Sequence, residues 1–315
     1  MPSTRPGRSC PRHYRYSPAV FARAADLAAQ SLYIVGGLYG NPFALEAVLA
    51  MARREDATLV FNGDFNWFNV DPAEFETVNE TVLRHAALRG NVETEIAGAD
   101  SGAGCGCAYP EWVGDAEVER SNEILTRLRG TASAYPELRE RLAVLPMHLV
   151  AEVGGLRIGI VHGDAESLAG WEFSQETLRE RPERAGVLLA GCCVDVFACT
   201  HTCLPVMQDF ATPRGTALIV NNGAAGMPNF RDTRFGLATR IASTPSMQAL
   251  YGVRLGAAVV EAVPVRYDYE AWMARFDRVW PAGSPAALSY RKRIASGPGY
   301  AVEQAVRTGA FSRAA

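Results

Sequence analysis

The chain has 315 residues, 48% of them hydrophobic and 21% charged, with a formal net charge of −3. That is a globular composition, enough for one large domain or two small ones with a sizeable core. The charge gives no reason to expect a nucleic-acid partner, and no apolar run approaches the ~18 residues of a membrane span.

The basic stretch Met1–Tyr16 lacks the apolar middle of a secretory signal and reads as a solvated arm. Seven cysteines, an odd number, suit free thiols in a reducing compartment, so a cytoplasmic location is expected. Residues 31–36 (SLYIVG) read as a buried strand. Residues 42–54 have Pro at the start, apolar residues at helical spacing and arginines at the end, the marks of a helix. Residues 58–62 (TLVFN) read as a second strand and 72–89 as a second helix. This alternation predicts a parallel α/β sheet. Residues 94–116, rich in Gly, Ala, Ser and Cys, read as a long inserted loop. Helices are expected at 117–129 and 136–142. Residues 147–153 and 156–162 flank Gly154-Gly155 as a hairpin, and 205–210 with 216–221 make another. A β-rich region at 249–267 precedes a helix at 269–277 and a Pro/Gly-punctuated tail. The expected organisation is an arm (1–20), one domain (21–270) carrying the 94–116 insertion, and a C-terminal extension (271–315).

Short polar motifs follow the predicted strands in order: Gly36-Gly37-Leu38-Tyr39, Asn62-Gly63-Asp64, Arg89-Gly90-Asn91-Val92-Glu93, His162-Gly163-Asp164, Thr200-His201-Thr202-Cys203 and Asn221-Asn222-Gly223. Ligand sites of α/β proteins assemble at strand C-termini. Asp, Asn and His suit a divalent metal, and glycine lets the backbone turn sharply after a strand.

This series, over about residues 31–226, resembles the calcineurin-like metallophosphoesterase superfamily, whose pattern is D-x-H, GD, GNH-D/E, an isolated His and GHxH. The resemblance implies an α/β fold: a two-sheet β-sandwich flanked by helices in α/β/β/α layers. It also implies hydrolysis of a phosphate ester of a small molecule by metal-activated water. The family's first-metal ligands fall on Gly37, Tyr39 and Cys203, all replaced. The bridging aspartate is Asp64, and the second-metal ligands fall on Asn91, His162 and His201, all retained. Losses sorted by metal imply a mononuclear site holding one divalent ion, with Zn, Mn, Fe and Ni all open. Cys203, a soft ligand, could add to it if the ion were zinc.

The family's GNH histidine is Val92 here, which leaves Glu93, Tyr39 and Cys203 as candidate proton donors. Arg89, Arg231 and Arg234 are candidates to replace the lost metal's charge. Trp67, Phe68, Tyr109 and Trp112 could wall a pocket, and Asn222 sits in the last motif, so Arg89, Arg234, Asn222 and Trp67 are the expected substrate contacts. His13, His85 and His148 have no motif around them. Cys105 and Cys107 read as small loop residues. The expected partner is a small-molecule substrate, with neither nucleic acid nor membrane, and a homo-oligomer is compatible with the chain. Two other functions stay open: a non-catalytic metal- or partner-binding descendant, and a metal-assisted reaction on a phosphate-free compound.

Overall fold

The computed structural model describes residues 5–99, 101–307, 309 and the backbone of 311–312. The expected first helix forms as α1 (Pro42–Glu55). Asn41 caps it by accepting from the Ala44 N–H, and Asp56 ends it in the left-handed region at φ 49°.

Two seven-stranded sheets face each other. The first runs β14 (Phe311–Ser312), β11 (Tyr251–Leu255), β12 (Ala258–Val265), β10 (Gly236–Ala242), β2 (Ser31–Val35), β3 (Thr58–Asn62) and β4 (Ala86–Leu88). The second runs β1 (Leu27–Ala29), β5 (His148–Val153), β6 (Leu156–Val161), β7 (Val196–Cys199), β9 (Gly215–Asn221), β8 (Val206–Thr212) and β13 (Val306–Arg307). β2, β3 and β4 are parallel, as are β6, β7 and β9. The remaining helices are α2 (Pro72–Val82), α3 (Asn91–Ala97), α4 (Asp115–Ala132), α5 (Pro136–Ala143), α6 (Gln175–Glu180), α7 (Pro182–Cys192), α8 (Tyr269–Val279), α9 (Pro285–Ser296) and α10 (Val302–Ala305).

The strand period of two sorts side chains into layers. Leu32 and Ile34 point between the sheets, where they meet Ile158, Ile160, Ala198 and Val220 of the second sheet. Tyr33 and Val35 point outward into the layer of α1, α2, α4, α5, α8 and α9. Phe197, Cys199 and Val161 pack outward with Leu188 and Leu189 of α7. The layers are therefore helix, sheet, sheet, helix. The parallel strands of both sheets end at one edge, which gathers the polar motifs.

Several expectations need correcting. The helix expected over 72–89 stops at Val82, and residues 86–88 are strand β4. α3 takes the start of the expected 94–116 loop. The N-terminal segment is not a solvated arm where it is described; residues 1–4 lie outside the described residues. Tyr14 is buried and its hydroxyl donates to Glu95 Oε1 at 2.6 Å. Arg8 donates to the carbonyls of Pro110 (2.8 Å) and Val113 (2.6 Å), so this segment pins the inserted loop. The start of the C-terminal extension packs into the domain: Trp272, Phe276 and Trp280 are buried in the helical-layer core. Strand β10 has no reading in the sequence. Its Arg240 is buried and bonds Glu55 (2.7 Å) and Glu261 (2.6 Å).

Candidate metal centre

Asp64 follows β3, Asn91 opens α3 after β4, His162 follows β6 and His201 follows β7. Glycines make this meeting possible. A Cβ on Gly90 would lie 2.2 Å from Asp64 Oδ1, and one on Gly63, at φ 76°, would lie 2.7 Å from His162 Nδ1. Asp64 and Cys203 themselves hold left-handed backbone, at φ 51° and 62°. Such backbone is costly and concentrates at functional sites.

The hydrogen bonds fix both imidazole tautomers. His162 Nδ1 faces the Asn62 carbonyl at 3.0 Å and must donate to it. His201 Nε2 faces the Cys107 carbonyl at 3.0 Å and must donate there. The neutral rings then turn their lone pairs inward, His162 Nε2 and His201 Nδ1, 3.2 Å apart. Asn91 spends its amide N–H on the Cys105 carbonyl (2.9 Å) and presents Oδ1 to His162 Nε2 at 3.1 Å. Asp64 Oδ1 accepts from the Val92 N–H (3.1 Å), and Oδ2 lies 3.3 Å from His162 Nε2. The ligand atoms of Asp64, His162 and His201 all lie within 4.8 Å of one another, on buried residues. Four acceptors thus converge with no donor among them. A single proton can serve one or two of these contacts, whereas a divalent cation serves all four. The donor set, two imidazoles with a carboxylate and an amide oxygen, suits a borderline divalent ion.

Electrostatics agree with this arrangement. Burial opposes charge on His162, but the Asp64 carboxylate and its hydrogen bond outweigh it and raise the imidazole pKa. His201 is pushed down to about 4 by burial and then by His162. Burial works against charge on Asp64, but His162 and His201 together lower it. In the metal-free protein His162 is therefore the imidazole that takes up a proton first as pH falls, and His201 the one that stays neutral. Metal binding is expected to release about one proton at pH values below the raised His162 pKa, with affinity falling about tenfold per pH unit there. Calorimetric titration in buffers of different ionisation enthalpy measures this; no released proton at pH 6 would contradict the raised His162 pKa.

The three replaced positions also meet in space. Gly37 adopts φ 62°, and a Cβ there would lie 3.0 Å from Tyr39 Cζ, so the tyrosine ring covers it. The Tyr39 hydroxyl and Cys203 Sγ are 2.8 Å apart and hydrogen-bonded. A neutral Tyr–Cys pair thus fills this side of the site.

No family model matches the chain, and no curated protein does. Solved structures do. A metallophosphoesterase from Sphaerobacter thermophilus superposes with a TM-score of 0.55 at 20% identity, over 85% of this chain and 100% of that one. A hypothetical protein from Pyrococcus horikoshii OT3 gives a TM-score of 0.55 at 17% identity, over 86% of this chain and 99% of its own. The chain has the metallophosphoesterase fold.

A cavity of about 350 Å³ opens on this cluster, reaching Asp64, Asn91 and His201. Tyr39, Cys203 and Trp67 line it, as their motifs suggest. The other expected contacts do not. Arg89 turns away and donates to the Ala143 carbonyl at 2.6 Å. Arg234 is exposed, pairs with Glu270 at 3.1 Å and lies over the Tyr269 ring. Asn222 is buried and ties the sheets together, donating to the carbonyls of Gly36 (3.1 Å) and Leu237 (2.9 Å). Glu93 is fully buried and outside the cavity. Its oxygens accept from the N–H groups of Asp64 (2.7 Å), Gly90 (3.0 Å) and Asn66 (3.1 Å). It holds the Asp64 loop and reaches no substrate, although burial and then Asp64 push its pKa up to about 7. Arg234→Ala is expected to leave stability and any turnover within about twofold; a larger loss in a steady-state assay would place Arg234 in the site after all.

Cavity residues without a counterpart among the sequence candidates include Cys107, Trp171, Tyr290 and Arg293. Trp171 Nε1 donates to the same Cys107 carbonyl that holds His201, at 3.0 Å. Arg293, from α9, donates to the Cys203 carbonyl at 2.5 Å. Their neighbours in sequence carry no motif, so only the fold brings them to the site.

Proposed function

We propose that the chain is a metal-dependent hydrolase that cleaves a phosphate ester of a small molecule at a mononuclear site. Asp64, Asn91, His162 and His201 would hold the ion. The convergence of their four acceptor atoms, without a donor between them, carries this reading. A divalent cation there would make a water more acidic and polarise a phosphoryl oxygen. The fold shared with a metallophosphoesterase from Sphaerobacter thermophilus supports it.

The chain's own residues do the rest. Asn62 and Cys107 carbonyls hold the two imidazoles in the ligating tautomers. Glu93 fixes the loop that carries Asp64. The Tyr39–Cys203 pair closes the side where the family places another ion, and adds no charge. Aromatic walls shield the site from bulk water. A cytoplasmic setting is part of the proposal, consistent with the odd count of seven cysteines, two of them thiols lining this cavity.

The test is turnover of phosphate mono- and diesters by metal-free protein, before and after adding Mn²⁺ or Zn²⁺. Hydrolysis that returns with the ion and disappears with chelator is expected. Bound metal without turnover across the panel would overturn the reading. The neutral Tyr39–Cys203 filling favours one second reading, a metal-assisted reaction on a phosphate-free compound. Turnover of such a compound, with phosphate esters untouched, would select it.

A further inference from the structure

Resting on that reading, the cavity narrows the substrate. Its walls are aromatic: Trp67, Tyr109, Trp112, Trp171 and Tyr290 line it together. Trp171 is the centre of one cluster, with its ring centroid 6.0 Å from Tyr109, 5.6 Å from Trp112 and 5.6 Å from His201. On the other wall Trp67 and Tyr290 meet at 6.4 Å. This is a seat for a flat ring reaching to the metal ligands, since rings stack offset or edge-on at such separations.

The charges are wrong for a doubly charged phosphate. The cavity's carboxylates are Asp64, Glu117 and Glu176, and its one guanidinium is Arg293. Arg293 spends N–H groups on the carbonyls of Cys203 and Pro228. Glu117 and Glu176 are at the cavity wall, and neither forms a salt bridge among the described residues. Three negative charges against one positive leave a divalent ion little surplus with which to hold a dianion.

On the side facing the ligands, Val92, Tyr39 and Cys203 offer no free proton donor. Val92 adjoins Asp64, with its N–H on Asp64 Oδ1, and its side chain has no proton to give. The Tyr39 hydroxyl donates to Cys203 Sγ, and the thiol in turn donates to the His201 carbonyl at 3.3 Å, so both protons of the pair are engaged. A leaving oxygen must then depart as an anion. A phenolate, with a conjugate acid near ~10, does so far more readily than an alkoxide, whose conjugate acid is close to water at ~15.7.

We infer that this site takes a singly charged aryl phosphodiester, with the aryl group among the tryptophans and leaving as the phenolate. The water oxygen bonds to phosphorus and the P–O(aryl) bond breaks, its electron pair staying on the phenolate oxygen. The proton shed by the water ends on that phenolate in solvent, which leaves a phosphate monoester and a phenol.

The test is calorimetric titration of the Mn²⁺-loaded protein with three non-chromogenic probes: diphenyl phosphate, phenyl phosphate and dimethyl phosphate. Diphenyl phosphate is expected to bind at least about tenfold more tightly than either of the others. Trp112→Ala, at a side chain that is 64% exposed and so dispensable for folding, should erase much of that preference. Phenyl phosphate binding as tightly as diphenyl phosphate would overturn the charge assignment. Dimethyl phosphate doing so would overturn the aromatic seat. Turnover of bis(p-nitrophenyl) phosphate is read separately. Its absence, with the binding preference intact, would leave the seat standing and sink the hydrolase reading.

Discussion

Asp64→Asn is expected to strip the protein of its metal and abolish turnover while leaving the fold intact. The amide keeps the shape of the carboxylate and an acceptor for the Val92 N–H. What it removes is the only negative charge among the four converging groups. Removing one partner of a buried charge pair costs about 3–5 kcal/mol, which is about two to four orders of magnitude in affinity. Titration of the metal-free variant with Mn²⁺ or Zn²⁺, next to its melting curve, separates the two effects. Metal affinity within tenfold of the parent would mean that the ion, if bound, sits elsewhere.

Glu93→Ala is expected to do the opposite, lowering stability first and activity as a consequence. Three backbone N–H groups, of Asp64, Gly90 and Asn66, converge on the Glu93 carboxylate inside the protein. Truncation leaves them buried without an acceptor, at roughly 1–3 kcal/mol each before relaxation. A net loss of about 3–5 kcal/mol in urea unfolding is expected. Glu93→Gln should also destabilise, because its amide N–H₂ would face N–H groups that donate to both carboxylate oxygens. A Glu93 that served as proton donor would behave differently. Its variants would keep their stability and lose one limb of the pH–rate profile. The raised pKa, about 7, would suit such a role. Full burial and the three N–H bonds assign it to holding the loop.

The four converging residues were legible because each sits in a short motif directly after a buried strand. Periodicity places the strands, and the strands place Asp64, Asn91, His162 and His201 at one sheet edge. Substrate contacts were less legible for a physical reason. Arg89 and Arg234 lie beside motifs in sequence, but a long flexible side chain goes where its nearest acceptor is, here the Ala143 carbonyl and Glu270. Tyr290 and Arg293 come from a helix near the C-terminus, in a segment whose prolines and glycines read as a tail. Cys107 acts through its backbone carbonyl, which no residue type advertises. The short strand β4 was read as helix because Ala86-Ala87-Leu88 carries no alternation of its own.

Under the proposed mononuclear reading, the replaced positions would let half a site persist. Gly37 opens the space, the Tyr39 ring covers it, and Cys203 accepts the one hydrogen bond the hydroxyl donates. Nothing charged is left behind there to be neutralised, which suits the proposed single-ion site.

The most direct test is the metal content of the purified, reconstituted protein by elemental analysis, set beside His201→Ala. One divalent ion per chain, lost in the variant, is the predicted result. Two ions per chain would contradict the mononuclear site, and none would contradict the metal centre itself.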